Sequence, residues 1–293
     1  MKRLLIIIIC LFLTGCYNYV EINDLELVNG IFLDYKSDKY IGSFDIDETK
    51  ISKGTTISDL FRNFEESIDK KAYYAHIKTI IISKEILNNH FDELIDFILR
   101  NNEIRNNFYL IVSDSNLDDY KSSKIKNLIA NKKYNNHIIK SCLFKNIVTT
   151  YLKNNTILLP IISKVNEDVE ITGSTAKNKN TTLEFNIDET RLLGIVLNKH
   201  PNILYKNINI YNSKTKYKNN KIYINLEGEV KELKKENINK DIKKDIVSLI
   251  NKTKENNINV LNMKNKYFKD SNTKVKVKVN INRNGQLLYE IKK

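Results

Sequence analysis

Two short apolar runs rich in β-branched residues, His76-Ile-Lys-Thr-Ile-Ile-Ile-Ser83 and Phe108-Tyr-Leu-Ile-Val-Ser113, most restrict the fold. Each is too short for a helix and has a continuous apolar centre, Ile80-Ile81-Ile82 and Leu110-Ile111-Val112, as a strand buried on both faces must have. Between them Leu87, Phe91, Leu94, Ile95 and Ile98 recur at helical spacing. Ser83 stands where it can cap that helix. Upstream, LELVNGIFLDY and KYIGSFDID read as two strands joined by a polar KSD turn. TTISDLFRNFEESIDKK follows, with Ile57, Leu60, Phe61, Phe64 and Ile68 on one helical face and Thr56 and Asp59 as a capping pair. The order strand, strand, helix, strand, helix, strand predicts a sheet with helices packed on it.

Two further helices are expected near 116–130 and 138–153. From Ile157 to Leu226 the pattern changes to short strands: LLPIIS, TTLEFNI, RLLGIVLN, NINIYN and KIYINLEG. A charged helix over 239–266 would turn Ile242, Ile246, Leu249 and Ile250 inward. The chain then closes in KVKVKVNINRNGQLLYEI, a hairpin around Arg-Asn-Gly. The expected fold class is α+β, with β-sheets and packed helices. The shift of pattern near 185–195 divides the chain into 16–190 and a strand-rich 191–293.

The first residues, MKRLLIIIICLFLTGC, read as an export signal. Two basic residues precede an apolar core of ten, Leu4 to Leu13. A bilayer-spanning helix needs about 20. The core stops at Leu13-Thr14-Gly15-Cys16, which matches the lipobox of bacterial lipoproteins. That pattern implies removal of residues 1–15 and a diacylated Cys16. Two acyl chains hold a protein at a membrane where one is marginal, because each buried methylene contributes about 0.8 kcal/mol. Of the three cysteines only Cys142 remains, so no internal disulfide can form. Its neighbours are apolar, and it reads as a small buried hydrophobe.

Catalytic signatures are absent. The eight glycines are too scattered to build a phosphate loop. His76, His90, His137 and His200 have no partner at zinc-ligand spacing. No Gly-x-Ser-x-Gly elbow occurs. The expectation is a non-enzymatic protein with no cofactor, no metal and no catalytic residues. His76, at the entrance to a buried strand, reads as structural. The formal charge is +13, or +11 once Lys2 and Arg3 leave with the signal. In Lys274-Val-Lys-Val-Lys-Val the lysines alternate with Val275, Val277 and Val279, with Ile281 next inward. The lysines then face solvent and discourage edge-to-edge strand pairing.

The segment LTGCYNYVEINDLELVNGIFLD resembles the opening of the Ger(x)C family of spore germination lipoproteins. The match runs through Cys16, Tyr17, Glu21, Ile22, Asn23, Asp24, Leu25, Val28, Gly30, Ile31 and Asp34. His76 and Lys78 resemble the family's aromatic-x-His-x-Lys segment. Asp96, Phe97, Arg100, Glu103 and Arg105 resemble its Asp-Phe-Leu-Arg…Glu-Ile-Arg stretch. ITGSTAKN and DETRLLGIVLN are similar to its Gly-x-Ala and Glu-x-Arg-x-Leu segments. The chain departs from the pattern after Asp270, where an aromatic-rich stretch is nearly missing. The resemblance implies a germinant-receptor C subunit, lipid-anchored on the outer face of the spore inner membrane. Its implied partners are integral membrane subunits, with no nucleic acid. Two other lipoprotein roles compete: a transporter's solute-binding protein, which needs a deep interdomain cleft, and a binder of wall or other anionic polymer, whose retention would be salt-sensitive.

Overall fold

The structure is a computed structural model. It describes residues 21–115, 121–131, 142–153, 155–166, 168–197, 201–218, 221–230, 238–261, 268 and 274–282. Cys16, His137, His200 and the Arg-Asn-Gly hairpin lie outside the described residues.

An eight-stranded mixed sheet dominates the first half. Its central strands are β2 (Gly30–Lys36), β6 (Thr79–Ser83), β7 (Tyr109–Ser113) and β8 (Ile157–Val165), all parallel. Antiparallel strands flank them: β3 (Lys39–Asp45) and β4 (Lys50–Gly54) beyond β2, then β9 (Asp168–Lys177) and β10 (Thr182–Asn186) beyond β8. The runs Ile80-Ile81-Ile82 and Leu110-Ile111-Val112 are buried on both faces, as central parallel strands require. β2 and β3 join through Ser37 and Asp38, both at positive φ, the geometry of a two-residue type I′ hairpin.

The helices α1 (Ile57–Glu65), α2 (Lys84–Asn89), α3 (Phe91–Arg100), α4 (Ser122–Asn131) and α5 (Phe144–Tyr151) belong to this half. Thr56 caps α1, its hydroxyl accepting from Asp59 N–H at 3.0 Å, and Ser83 caps α2 through Ile86 N–H at 3.3 Å. α1 lies so close to β4 that a Cβ on Gly54 would sit 2.3 Å from Leu60 N. Phe44 of β3 stacks on Phe64 of α1 at 3.8 Å between centroids, with Phe61 edge-on at 5.4 Å.

Several elements differ from the sequence reading, among them the charged helix expected over 239–266, which ends at Glu255. LELVNGIFLDY is two strands, because β1 (Leu25–Leu27) pairs in parallel with β5 (Lys71–Tyr73) in a separate small sheet. The stripe from Leu87 to Ile98 belongs to two helices, broken at His90 with φ −125° and ψ 14°. Lys50-Ile-Ser-Lys-Gly54 forms β4, an edge strand with little apolar content to mark it. RLLGIVL is not a strand: it lies in α6 (Ile187–Leu197). Thr190, Leu192, Leu193, Ile195 and Val196 are all buried, so no polar face discloses the helical period.

A second core begins where the first sheet ends. It gathers α6, the four-stranded sheet β11 (Ile203–Tyr205), β12 (Ile208–Lys218), β13 (Lys221–Val230) and β14 (Lys274–Asn282), and α7 (Ile238–Glu255). β11, β12 and β13 are antiparallel neighbours, whereas β14 pairs in parallel with β13. Ile242, Ile246, Leu249 and Ile250 of α7 face inward. Leu158, Ala176 and Phe185 of the large sheet join this second core, while Ile157, Leu159 and Ile161 of the same β8 join the first.

Truncating Phe44 removes a ring that is fully buried between two others. Phe44→Ala should cost about 3–5 kcal/mol, whereas Thr56→Ala, which removes only the cap of α1, should cost about 1 kcal/mol. Urea unfolding of both variants checks the ranking, and a Phe44→Ala cost near that of Thr56→Ala would contradict the packing described.

Candidate functional site

The residues singled out in sequence fall at three joints of the fold and do not converge on one cleft. The first joint is the N-terminal end of the parallel strands. There Val28 N–H donates to Tyr73 O at 3.3 Å and Lys78 N–H to Asn29 O at 2.8 Å. Asn29 N–H donates to Asp45 O at 2.8 Å, and Tyr109 N–H to Lys78 O at 2.9 Å. α4 enters this node. Ser122 N–H donates to Asp45 Oδ2 at 2.6 Å, and Ser122 Oγ donates to Asn29 O at 2.8 Å. Thr79 Oγ1 is 3.1 Å from that hydroxyl, and Lys121 Nζ is 3.2 Å from Asp45 Oδ1.

Asp45, Thr79 and Ser122 are at most 4 % exposed. A carboxylate at the start of α4 receives orphan N–H groups and opposes the positive end of the helix dipole. The same contact explains Gly30, because a Cβ there would meet Ser122 Cβ at 2.8 Å. His76 ends a half-buried 3-10 turn, Tyr74–His76, that leads into β6.

The second joint is the outer surface of α3. Arg100 Nε donates to both oxygens of Asp96 at 2.9 Å, and both side chains are exposed. With Phe97, Glu93, Ile57 and Asn101 they line an open cavity of about 460 Å³. Glu103 N–H donates to Asn101 Oδ1 at 2.9 Å just beyond the helix end. Nearby, Tyr40 Oη donates to Glu93 Oε2 and lies 2.9 Å from His90 Nδ1, with the Tyr35 ring tilted at 35° to the imidazole and 4.0 Å away between centroids. Burial first, and then the carboxylate of Glu93, push the Tyr40 phenol well above its ordinary range. This tyrosine therefore stays protonated and acts as a fixed donor.

The third joint ties the two cores together. Asn186 Oδ1 accepts from Glu189 N–H at 2.9 Å, and Glu189 Oε2 accepts from Asn186 N–H at 2.9 Å, a reciprocal capping box for α6. Lys252 of α7 donates to both oxygens of Glu189 at 2.8 Å and to Glu184 O at 3.0 Å. Its ammonium stands 5.1 Å from the Phe185 ring centroid. Ser174 and Thr190 hydroxyls meet at 2.8 Å, and a Cβ on Gly173 would lie 2.2 Å from Phe185 O. Glu189 and Gly173 thus account physically for the Glu-x-Arg and Gly-x-Ala segments. Arg191 pairs with Asp188 at 3.1 Å on the surface.

Sequence reasoning passed over Asp45, Ser122 and Lys252, whose partners lie tens of residues away. It also passed over Lys177, which is 5 % exposed with its ammonium 5.8 Å from the Phe91 ring centroid. Burial lowers the pKa of this lysine, and the charge of Asp92 opposes the shift. Among the described residues no group of three or more His, Cys, Asp or Glu could hold a metal ion.

These joints lie inside a recognisable unit. A family model described as the spore germination protein N-terminal domain matches residues 18–164, half of the chain. The chain belongs to the Ger(x)C family of spore germination proteins. It is 25 % identical over 207 residues to spore germination protein A3 of Bacillus subtilis (strain 168), covering 60 % of this chain and 55 % of that relative. A second curated relative from the same strain is 25 % identical over 146 residues, 43 % of this chain and 38 % of its own. The chain thus spans about half or less of the length of these relatives. The fold is similar to the crystal structure of the GerBC protein, with a TM-score of 0.54 at 14 % identity, covering 87 % of this chain and 96 % of that one. The germination protein therefore has the mixed α+β architecture expected from its sequence.

Two measurements test these joints. Glu189→Ala removes the capping box and the Lys252 pair together and should cost about 1–3 kcal/mol. A double-mutant cycle with Lys252→Met should return a coupling of about 0.5–1 kcal/mol, and zero coupling would refute the tie between α6 and α7. Cys142 is fully buried, and burial pushes its thiol up to about 12. Peptide mapping after alkylation at pH 8 should find Cys142 unmodified in the native protein and modified in urea; equal modification in both states would contradict that burial.

Proposed function

We propose that this germination protein is the lipid-anchored, non-enzymatic C subunit of a spore nutrient germinant receptor. Membership of the Ger(x)C family, together with the Leu13-Thr14-Gly15-Cys16 boundary, carries this reading. In it residues 1–15 are removed, Cys16 is diacylated, and the remainder forms an N-terminal unit, 16–190, and a C-terminal unit, 191–293. Among the described residues no helix is long and apolar enough to cross a membrane, which leaves the acyl chains as the attachment considered. The protein then sits on the outer face of the spore inner membrane beside integral membrane subunits.

The mechanism is assembly. Glu21, the first described residue, follows Cys16 by five positions. Five residues span at most about 18 Å, so a lipidated Cys16 keeps the small β1–β5 sheet close to the headgroups. Confinement to the membrane plane raises the effective concentration of the protein near integral subunits without any new contact. Docking then needs only modest intrinsic affinity. The Asp45–Ser122 node lies next to that sheet through Val28 and Asn29, and it holds the tethered end rigid.

Mass spectrometry of the mature N-terminus should find a diacylated cysteine at position 16. Cys16→Ala should lower the amount of assembled receptor at the inner membrane and weaken nutrient germination with it. His76→Ala should act through protein level. A stable His76→Ala protein in an intact complex that fails to germinate would show a chemical role at that position and end the purely assembling account.

A further inference from the structure

The second sheet carries a charged face whose composition exceeds what folding asks of it. Strand register brings residues from three separate segments into rows. Lys218, Lys221 and Lys274 form one row, Lys216, Tyr223 and Lys276 the next, and Lys214, Asn225 and Lys278 the third. Their neighbours along each strand point the other way: Ile222, Ile224 and Leu226 are fully buried, and Val275, Val277 and Tyr217 pack on the second core. Since successive side chains alternate between faces, the nine residues share one outward face. Seven of the nine are lysines.

No carboxylate interrupts the three rows. Glu227 and Glu229 come only beyond them, and Glu227 accepts from Asn212 Nδ2 at 2.9 Å. None of the seven lysines has an ion pair among the described residues. Six are exposed, with Lys221 and Tyr223 half-buried. Lys276 Nζ stands 6.0 Å from the centroid of the Tyr223 ring.

Protection of a sheet edge accounts for lysines on β14, which ends this sheet among the described residues. It also accounts for Lys214, Lys216 and Lys218, because β11 reaches only Ile208–Ile210 of β12, but it accounts neither for Lys221 on β13, which has a neighbour on each side, nor for the union of both sets of lysines in one face whose rows hold no carboxylate. Holding seven like charges on a patch of about 10 Å by 13 Å opposes folding by self-repulsion, and an anionic partner relieves it.

We propose that this face docks on the surface of an anionic phospholipid bilayer. Among the described residues the face is that of a sheet, with no helix or ribbon projecting from it of the kind that enters a nucleic-acid groove. Its cations are all lysines. A lysine is a point charge on a flexible stem that needs no fixed geometry, which suits diffuse lipid phosphates better than a defined carboxylate or phosphate pocket. Tyr223, with an apolar ring and a polar tip, suits the headgroup layer. The choice of a bilayer over another polyanion rests on the membrane attachment proposed above; the charged face itself does not.

The test uses the full-length chain in vesicles of phosphatidylcholine, with and without phosphatidylglycerol. Surface amines are acetylated and the sites read by mass spectrometry. Flotation with pure phosphatidylcholine reports the anchor, so failure of the anchor and failure of the charged face are separate outcomes. On phosphatidylglycerol vesicles at low salt, acetylation of Lys216, Lys276 and Lys278 should fall several-fold, while that of exposed Lys53 on the other sheet stays constant. High salt should restore it, because the screening length shrinks from about 10 Å at 0.1 M to about 3 Å at 1 M. The combined variant Lys216→Gln, Lys276→Gln, Lys278→Gln should melt like the parent and lose the protection at Lys214. Equal acetylation on the two vesicle types overturns the proposal. So does protection by inorganic phosphate alone to the same degree, or by duplex DNA with none on vesicles.

Discussion

Burial of the central parallel strands on both faces is the constraint from which the rest of the first half follows. Ile80, Ile81 and Ile82 are consecutive and all are shielded from water, so cover is needed above and below. The register shows how it is divided. Phe44 and Ile31 lie opposite each other, and Phe44 stacks on α1. Gly30 pairs with both Asp45 and Thr79, one residue out of phase, and these three meet α4 on the other face. The price of covering the second face is that a helix start is buried there. Asp45 answers this by accepting the Ser122 N–H, and Lys121 answers the charge of Asp45.

The same logic joins the two halves. β8 and β9 extend the large sheet past the reach of the first core, so one of their faces needs a different cover. Leu158, Ala176 and Phe185 supply that face, and α6 with α7 covers it. The sheet is thus shared: Ile157 and Leu159 look one way, Leu158 the other. A joint made by a common sheet resists hinge motion more than a linker would, since bending it would uncover apolar surface on both sides. Glu189 and Lys252 add a charged tie at the edge of that contact.

Much of this was legible in the sequence, and the reasons for success and failure are physical. Thr56 with Asp59, and the apolar runs of β6 and β7, announce themselves because the interactions are local or the whole strand is buried. RLLGIVLN misleads because a helix buried nearly all round loses the polar face that marks its period. Its start was marked by Asn186 and Glu189, a capping box that outweighs the β-branched residues that follow. Asp45 could not be found as a cap, since its partner Ser122 is 77 residues away. The basic face was half visible. Lys274, Lys276 and Lys278 alternate plainly, but their union with the lysines of β12 and β13 depends on a parallel pairing across more than 40 residues.

On the proposed reading, these features bear on how a lipid-anchored subunit meets its membrane partners. On that reading the five positions from Cys16 to Glu21 limit distance from the bilayer and do not by themselves set the orientation of the folded part. An assembly subunit with free rotation presents every side to its neighbours and spends most encounters misaligned. A second contact removes that freedom. If the charged face docks as proposed, the sheet shared by the two cores makes that contact effective far along the chain, because it also sets the orientation of α3 and its Asp96–Arg100 surface. On the proposed reading, two weak attachments on one body achieve what neither does alone: the same side of the protein meets the same neighbour.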